Sequence, residues 1–283
     1  MEALQIIQID FNSPSVSKKL HDAAKNIGFA VFNNHPLNLQ LVRDVFEEWK
    51  QFFATNQKHR YTRVAGQQLG YFPANISETA IGYDEKDKKE FYQFNISNNI
   101  PKGMSNKTRD LFVAIEHLAI QLLTWLENEL PIEVSSKLSE PLINMINGSV
   151  ENLMRIAHYP PLIGIESENA MRASPHNDIN FLTILLTSSE PGLQIQDKNG
   201  NWCDIPSNKD SVVVNIGCLL ETVTESYYPA IKHRVITTPE RAKFSRYSIP
   251  LFLHARGDVQ ITEQYTADEL LLKHLKMLDK GAY

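Results

Sequence analysis

The second half of the 283-residue chain consists of short β-forming runs separated by turn residues. Between residues 153 and 253, apolar and β-branched residues recur in runs such as LMRIAHY, FLTILL, SVVVNIG and RYSIPLFL, at intervals of about 8–15 residues. The tetrapeptide Asp197-Lys198-Asn199-Gly200, between two such runs, is typical of a hairpin turn. Many short strands at this spacing indicate an all-β barrel or sandwich. A β core of this size needs helices on an outer face, and the rest of the chain is expected to supply them.

Helical patterns lie mainly outside that β-rich part. Apolar periodicity and capping residues predict helices over residues 15–26, 38–55, 108–129, about 133–146 and 266–278. Short strands are expected over residues 4–10 and 29–33, near Tyr71, and over residues 91–94. Recurrent glycine, asparagine and proline between residues 56 and 107 predict irregular chain, which often forms lids or binding loops.

We expect these segments to form one compact unit with two regions. Residues 1–107 are predicted to be a helical and irregular N-terminal region that packs on the core. Residues 108–283 are predicted to contain the long helix, the β core and the C-terminal helix.

Charge and cysteine content limit the expected partners and compartment. The net charge of −5 provides no general attraction for nucleic acid or an anionic membrane. The first residues lack the parts of a signal peptide, and no apolar run reaches the roughly 18 residues of a membrane span. The two cysteines, Cys203 and Cys218, are typical of a reducing compartment. We therefore expect a cytoplasmic protein without nucleic-acid or membrane partners, and a monomer because no heptad seam is visible.

The stretch PHNDINFLTILL, from Pro175 to Leu186, carries the first chemical signal. His176 and Asp178 are two positions apart, so on extended chain both side chains point to the same side. They can therefore converge on one metal ion at the start of a buried strand. One histidine and one carboxylate do not complete an iron site, so a second histidine must come from elsewhere in the chain.

The β-rich half supplies that histidine and an anion-binding pair. His233 lies in KHRVIT, and Arg246 and Ser248 lie in SRYSIPLFL with the same two-residue spacing. Two imidazoles and one carboxylate form the facial triad of non-haem Fe(II) oxygenases, which leaves room for a bidentate 2-oxo acid and dioxygen. An arginine can bond both oxygens of the far carboxylate of 2-oxoglutarate. The set predicts an Fe(II) site and, next to it, a site for 2-oxoglutarate.

These motifs resemble those of the isopenicillin N synthase-like family of Fe(II)/2-oxoglutarate-dependent dioxygenases. The resemblance covers nearly the whole chain, since AHYPP, LTILL, GLQI, GNWCDIP, VVNIG and HRV match in the second half and IIQID, GFAVFNNH, GYFP and KEFYQF match in the first. It implies a mainly β fold with flanking helices, in which a double-stranded β-helix (jelly-roll) core follows a helical N-terminal region. It also implies an enzyme in which His176, Asp178 and His233 are the catalytic metal ligands.

The implied reaction is hydroxylation, desaturation or cyclisation of a small molecule, with release of succinate and CO2. Fe(II) is the implied metal and 2-oxoglutarate the cosubstrate, bound by Arg246 and Ser248, with ascorbate as a stimulant. Tyr159 aligns with a family tyrosine that often contacts the 2-oxoglutarate carboxylate, although a packed strand tyrosine is the alternative.

Substrate residues are predicted from strand parity and aromatic character. Arg155 shares a strand face with Ala157 and Tyr159, so it can reach the active site and hold an anionic substrate group, the alternative being a surface salt bridge. Phe252, Tyr71 and Phe181 are further candidates, each with core packing as its alternative. Residues 60–100 and the C-terminal segment are expected to form a lid.

Departures from the family pattern concern the substrate and not the iron. Ala157 replaces a polar residue, Cys218 replaces the aspartate after NIG, and ESYYPAIKH replaces a Gly/Ser-rich turn.

Two alternative functions stay open. One is an isopenicillin N synthase-like Fe(II) oxidase that uses no 2-oxoglutarate and binds its substrate's carboxylate with Arg246 and Ser248. The other is a non-catalytic binding protein that retains the fold. His35 and His158 are interpreted as structural.

Overall fold

The computed structural model describes residues 6–76, 87–98, 100–162, 171–187, 190–206, 208, 210–237 and 240–280. The helices are α1 (Val16–Ile27), α2 (Leu39–Ala54), α3 (Lys107–Asn128), α4 (Ile132–Ser135), α5 (Leu142–Ile146), α6 (Cys218–Val223) and α7 (Ala267–Lys280), and 3-10 turns cover Asn56–Tyr61 and Ala74–Ile76. The strands are β1 (Gln8–Asp10), β2 (Phe29–Asn33), β3 (Gly70–Phe72), β4 (Glu90–Phe94), β5 (Leu153–Tyr159), β6 (Ala173–His176), β7 (Leu182–Thr187), β8 (Leu193–Gln196), β9 (Trp202–Asp204), β10 (Val212–Ile216), β11 (His233–Val235) and β12 (Arg246–Leu253).

The strands form two sheets. The larger sheet has the order β1-β2-β10-β7-β12-β5-β4-β3, and the smaller has the order β6-β11-β8-β9. Neighbouring strands are antiparallel except for β1 and β2, which are parallel. Strands of the N-terminal region extend both edges of the larger sheet, because β2 pairs with β10 and β4 pairs with β5.

The helices cover the larger sheet. Helix α3 contacts β7 and β12 as well as α1, α2 and α5. It does so through apolar side chains at helical spacing, all almost fully buried: Leu111, Ile115, Leu118, Leu122 and Leu126. A second apolar cluster contains residues of both sheets, among them Ala157 of β5, Val213 of β10 and Ile195 of β8. The two sheets therefore share an interior, and the candidate site lies at its open end.

Local sequence accounts for most element boundaries. Helix α1 ends at Gly28, whose φ of 69° is left-handed and whose Cβ, if present, would collide with the carbonyl oxygen of Pro229. Helix α2 begins after Asn38, whose side chain accepts hydrogen bonds from the backbone N–H groups of Gln40 and Leu41. Thr266 and Glu269 form a capping box at the start of α7.

The structure differs from the sequence predictions at two helices. The single helix expected over residues 133–146 is divided into α4, which ends at Ser135, and α5, which begins after Pro141. Pro141 has no N–H and disfavours helical backbone at the residue before it, so α5 cannot extend back toward α4. The short helix α6 was not predicted, since its six residues carry no complete apolar period. No helix in the described ranges is long and apolar enough to span a membrane.

Candidate active site

Three predicted metal ligands converge at one end of the smaller sheet. His176 ends β6 and His233 begins β11, and the β6–β11 register places them directly opposite each other. Their ring centroids are 4.4 Å apart. Asp178 follows β6 in the loop before β7, and its Oδ1 lies 3.8 Å from Nε2 of His176 and 3.7 Å from Nε2 of His233. The three ligand atoms lie within 4.8 Å of one another.

Surrounding groups orient the three side chains. Nδ1 of His176 lies 2.7 Å from the Ser174 carbonyl oxygen, and Nδ1 of His233 lies 3.3 Å from that of Ile231. Each Nδ1 is therefore placed to donate to a backbone carbonyl, which leaves a lone pair on Nε2. Oδ2 of Asp178 accepts hydrogen bonds from two partners on neighbouring strands, Thr183 Oγ1 at 2.5 Å and Asn215 Nδ2 at 2.9 Å. Oδ1 is thus turned toward the imidazoles.

The charge states suit a divalent ion. Burial, together with neighbouring His176, lowers the pKa of His233 to about 4, so this imidazole is neutral near pH 7. Burial alone would raise the pKa of Asp178, but His233, His176 and the hydrogen bonds from Thr183 and Asn215 hold that pKa below its ordinary value. Two neutral imidazole nitrogens and a carboxylate oxygen are the donor set of a non-haem Fe(II) site, so the residues fit this metal.

An inner cavity between the sheets contains the predicted cosubstrate residues. The β12–β5 register places Arg246 opposite Tyr159 and Ser248 opposite Ala157. The guanidinium of Arg246 lies 5.2 Å from the ring centroid of Tyr159, and its Nε donates to the Glu190 carbonyl oxygen at 3.3 Å. Its Nη1 is buried and has no hydrogen-bond partner among the described residues. A buried donor of this kind suits a carboxylate.

An outer cavity of about 710 Å³ lies on the other side of the triad. Its walls include Gln67, Gln68 and Asn95 from the predicted lid and Leu271 and Leu275 of α7. The part of the lid at residues 77–86 lies outside the described residues. Five side chains line both cavities, and they form the passage between them: Lys89, Arg155, His176, Asp178 and Phe252.

Two predicted substrate residues lie in that passage. Arg155 donates from Nε and Nη2 to Oε1 of Gln93, at 3.0 and 2.5 Å. Its guanidinium lies 4.3 Å from the ring centroid of Phe91 and 5.5 Å from that of Phe252. Arg155 is therefore part of the cavity wall.

The prediction that Tyr71 and Phe181 line the pocket is wrong. Tyr71 is 1% exposed, packs against Phe53 and donates its hydroxyl to Glu90. Phe181 is fully buried in the main hydrophobic core. Both side chains point into the layer between the larger sheet and the helices. The prediction failed because the alternation of side chains along a strand does not tell which face of the sheet carries the site.

Other sequence interpretations concern residues outside the triad. Nδ1 of His158 lies 2.8 Å from Glu90 and Nε2 lies 3.0 Å from Ser245, in a network away from the metal ligands. Nδ1 of His35 accepts the Leu37 N–H. Within ESYYPAIKH, the Tyr228 hydroxyl donates to the Leu126 carbonyl oxygen at 2.9 Å. This tyrosine is buried in the core, so it anchors the segment instead of lining a cavity.

Several residues of the site were not predicted. Thr183 and Asn215 are polar residues inside the largely apolar strands LTILLT and VVVNI, and this was a usable signal because a buried polar side chain needs a partner. Lys89 and Asp87 form a buried ion pair of 2.9 Å at the passage. Asp87 also accepts hydrogen bonds from the backbone N–H and the hydroxyl of Ser174. No sequence pattern indicated this pair.

Comparison with known proteins identifies the family. The model of the 2OG-Fe(II) oxygenase superfamily matches residues 150–255, and a model described as non-haem dioxygenase in morphine synthesis N-terminal matches residues 4–112. A crystal structure from Shewanella oneidensis, described as a candidate oxygenase, is 36% identical, with a TM-score of 0.87 and coverage of 98% of this chain and 99% of that chain.

More distant relatives agree. A full-length protein of Neurospora crassa, solved in complex with alpha-KG, is 20% identical with a TM-score of 0.78 over 96% of each chain. Gibberellin 2-beta-dioxygenase 1 of Pisum sativum is 23% identical over 234 residues, which is 81% of this chain and 71% of the relative. The structural neighbours confirm the predicted jelly-roll, or double-stranded β-helix, core. The chain therefore belongs to the 2OG-Fe(II) oxygenase superfamily.

Proposed function

We propose that His176, Asp178 and His233 hold Fe(II), that the inner cavity holds 2-oxoglutarate and that the outer cavity holds a small-molecule substrate. As a member of its superfamily, the chain is a non-haem Fe(II)- and 2-oxoglutarate-dependent oxygenase. The observation that carries the assignment of residues is the position of the triad at the passage between the two cavities. Cosubstrate and substrate can then reach the same metal from opposite sides.

Fe(II) and 2-oxoglutarate, when bound, supply the oxidising chemistry by which dioxygen hydroxylates, desaturates or cyclises a substrate with release of succinate and CO2. The chain holds the metal through imidazole nitrogens with fixed tautomers and a carboxylate anchored by Thr183 and Asn215. Arg246, with Ser248 and Tyr159, binds the far carboxylate of the cosubstrate in a pocket from which the two sheets exclude water. The burial of this pocket strengthens the charge pairing, because bulk water screens it less.

The substrate side of the passage supports a preference for molecules with an anionic group. Arg155 is the residue proposed to hold that group, because its guanidinium is fixed between Gln93, Phe91 and Phe252 beside two metal ligands. Phe252 provides an apolar surface for the neighbouring carbon atoms. The amides of Gln67, Gln68 and Asn95 offer further hydrogen bonds at the outer wall.

The chain is further proposed to act in the cytoplasm as a monomer. The two cysteines, Cys203 and Cys218, are both free thiols, as is usual in a reducing compartment. The two regions of the chain are proposed to work as one unit, since β2 and β4 pair with strands of the jelly-roll core.

Turnover of the cosubstrate tests the proposed function. Succinate release is measured after adding Fe(II), ascorbate and 2-oxoglutarate, alone and with a panel of small carboxylic acids. We expect succinate from the wild-type protein and none from Arg246→Gln. The absence of succinate under all conditions would contradict the assignment and would favour an oxidase in which Arg246 and Ser248 bind the substrate's own carboxylate.

A further inference from the structure

A second arginine is buried beside the proposed cosubstrate site. Arg172 immediately precedes β6, four positions before His176, and is 1% exposed. Its Nη2 donates to the carbonyl oxygen of Phe244 at 2.6 Å, two residues before Arg246. Its Nε is buried and has no hydrogen-bond partner within the described part of the chain. Arg246 has the same deficit at Nη1, so each of the two guanidinium groups keeps one unsatisfied buried donor.

The two arginines interact electrostatically. Burial and the charge of Arg246 both lower the pKa of Arg172, whereas Tyr159 and Glu190 oppose that shift. Glu190 gives limited compensation, because its carboxylate is already 3.2 Å from Arg241. Two like charges without a full counter-charge are costly in a protein interior. A bound anion at this end of the inner cavity would remove that cost.

We propose that Arg172 is a positioning residue for the cosubstrate, supplying a second positive charge that, together with Arg246, holds the far carboxylate of 2-oxoglutarate. This inference rests on the proposed function. Arg246 faces the inner cavity and makes the direct contact. Arg172 acts from behind it, by its charge and by fixing the Phe244 carbonyl two residues before β12 begins.

The location of Arg172 also links the two ends of the cosubstrate. Strand β6 begins just after Arg172 and ends at the metal ligand His176. The short strand β6 therefore connects Arg172, which is proposed to attract the far carboxylate, with His176, a proposed ligand of the metal. That metal would bind the 2-oxo acid end of the same cosubstrate. A displacement at either end of β6 would change the fit of the whole cosubstrate.

The test is an anaerobic titration of the Fe(II)-loaded protein, followed by its visible charge-transfer absorption. Two ligands are compared, 2-oxoglutarate and 2-oxopentanoate, which has the same chelating end but lacks the far carboxylate. The variants are Arg172→Gln, Arg172→Lys, Arg246→Gln and, as a matched control, Arg43→Gln, whose half-exposed guanidinium on α2 pairs with Asp210.

We expect Arg172→Gln to weaken 2-oxoglutarate binding about tenfold, the effect of losing one charge-assisted interaction, and to leave 2-oxopentanoate binding unchanged. Arg172→Lys, which keeps the charge, should bind 2-oxoglutarate within about threefold of wild type, and Arg43→Gln should match wild type. Arg246→Gln should lose more 2-oxoglutarate affinity than either Arg172 variant.

Each contrary result has a separate meaning. Wild-type affinity in Arg172→Gln, with a loss in Arg246→Gln, would overturn the role of Arg172 and leave the proposed function intact. Equal weakening of both ligands in Arg172→Gln would also overturn it, since the effect would then be general damage. No loss in Arg246→Gln would instead contradict the proposed function itself.

Discussion

His176 and His233 face each other directly across the β6–β11 ladder, and both present Nε2 to the same oxygen of Asp178 at 3.7–3.8 Å. This relationship depends on strand register, because a shift of one residue would turn one imidazole to the opposite face of the sheet. The candidate metal site is therefore a consequence of how the smaller sheet pairs.

Removing any one ligand is expected to abolish iron binding. Asp178→Ala leaves two imidazoles, and His233→Ala leaves one imidazole and the carboxylate, so neither retains the facial set of three donors. The measurement is the iron content after anaerobic loading and desalting, with His117→Ala as the control because His117 is exposed on α3. Full iron occupancy in Asp178→Ala would contradict the assignment.

The two side chains that anchor Asp178 should affect iron affinity without being ligands. Asn215→Ala or Thr183→Val removes one of the two hydrogen bonds to Oδ2 and so loosens the orientation of the carboxylate. We expect about a 10- to 100-fold loss of Fe(II) affinity, the usual effect of removing a partner of a ligand. Thr222→Val, at an exposed position on α6, is the control and should bind iron as wild type does. Unchanged Fe(II) affinity in both Asn215→Ala and Thr183→Val would show that these two side chains do not orient Oδ1 of Asp178 toward the metal.

The residues that bind metal and carboxylate could be predicted from the sequence, whereas most of the residues around them could not. His176, Asp178, His233, Arg246 and Ser248 were identified because their spacing and their residue types are constrained by metal and carboxylate binding. Tyr71 and Phe181 were misplaced because an aromatic residue in a strand can face either the core or the cavity. The Lys89–Asp87 pair depends on contacts between segments distant in sequence from the ligands, which no local pattern encodes.

Acid should destabilise the apoprotein through His254, a buried histidine that immediately follows β12 and lines the outer cavity. Burial lowers its pKa from 6.5 to about 4, so protonation costs more in the folded protein than in the unfolded chain. The contribution of neutral His254 to the free energy of unfolding is complete above pH 6.5. It decreases as the pH falls toward 4, and the total decrease is roughly 3 kcal/mol. Urea unfolding of wild type and His254→Asn between pH 7.5 and 4.5 measures it. The same pH slope in both proteins would contradict this origin.

Substrate response should depend on Arg155. Arg155→Gln removes the guanidinium from the passage while leaving the Arg246 end of the inner cavity intact. We expect normal 2-oxoglutarate binding and basal succinate release, but at least about a tenfold rise in the concentration of an anionic substrate needed to stimulate turnover. Arg155→Lys should recover part of the loss. Stimulation by the same substrate at wild-type concentrations would exclude Arg155 as its anchor.

Glu90 connects the N-terminal region to the jelly-roll core. Its buried carboxylate forms an ion pair of 2.9 Å with Lys58, accepts a hydrogen bond from the Tyr71 hydroxyl and lies 2.8 Å from Nδ1 of His158. Glu90→Ala leaves Lys58 without this partner and should lower the free energy of unfolding by about 3–5 kcal/mol. The control is Glu47→Ala, which removes an exposed pair with Lys50 and should change stability by less than about 1 kcal/mol. Equal effects of the two substitutions would contradict the role of this network.

The most direct test of the proposed Fe(II) and 2-oxoglutarate site is an anaerobic crystal structure of the wild-type protein with both bound. We expect iron within bonding distance of Nε2 of His176, Nε2 of His233 and Oδ1 of Asp178. We also expect the far carboxylate of 2-oxoglutarate to lie on the guanidinium of Arg246. Iron bound elsewhere, or a cosubstrate whose far carboxylate does not reach Arg246, would contradict it.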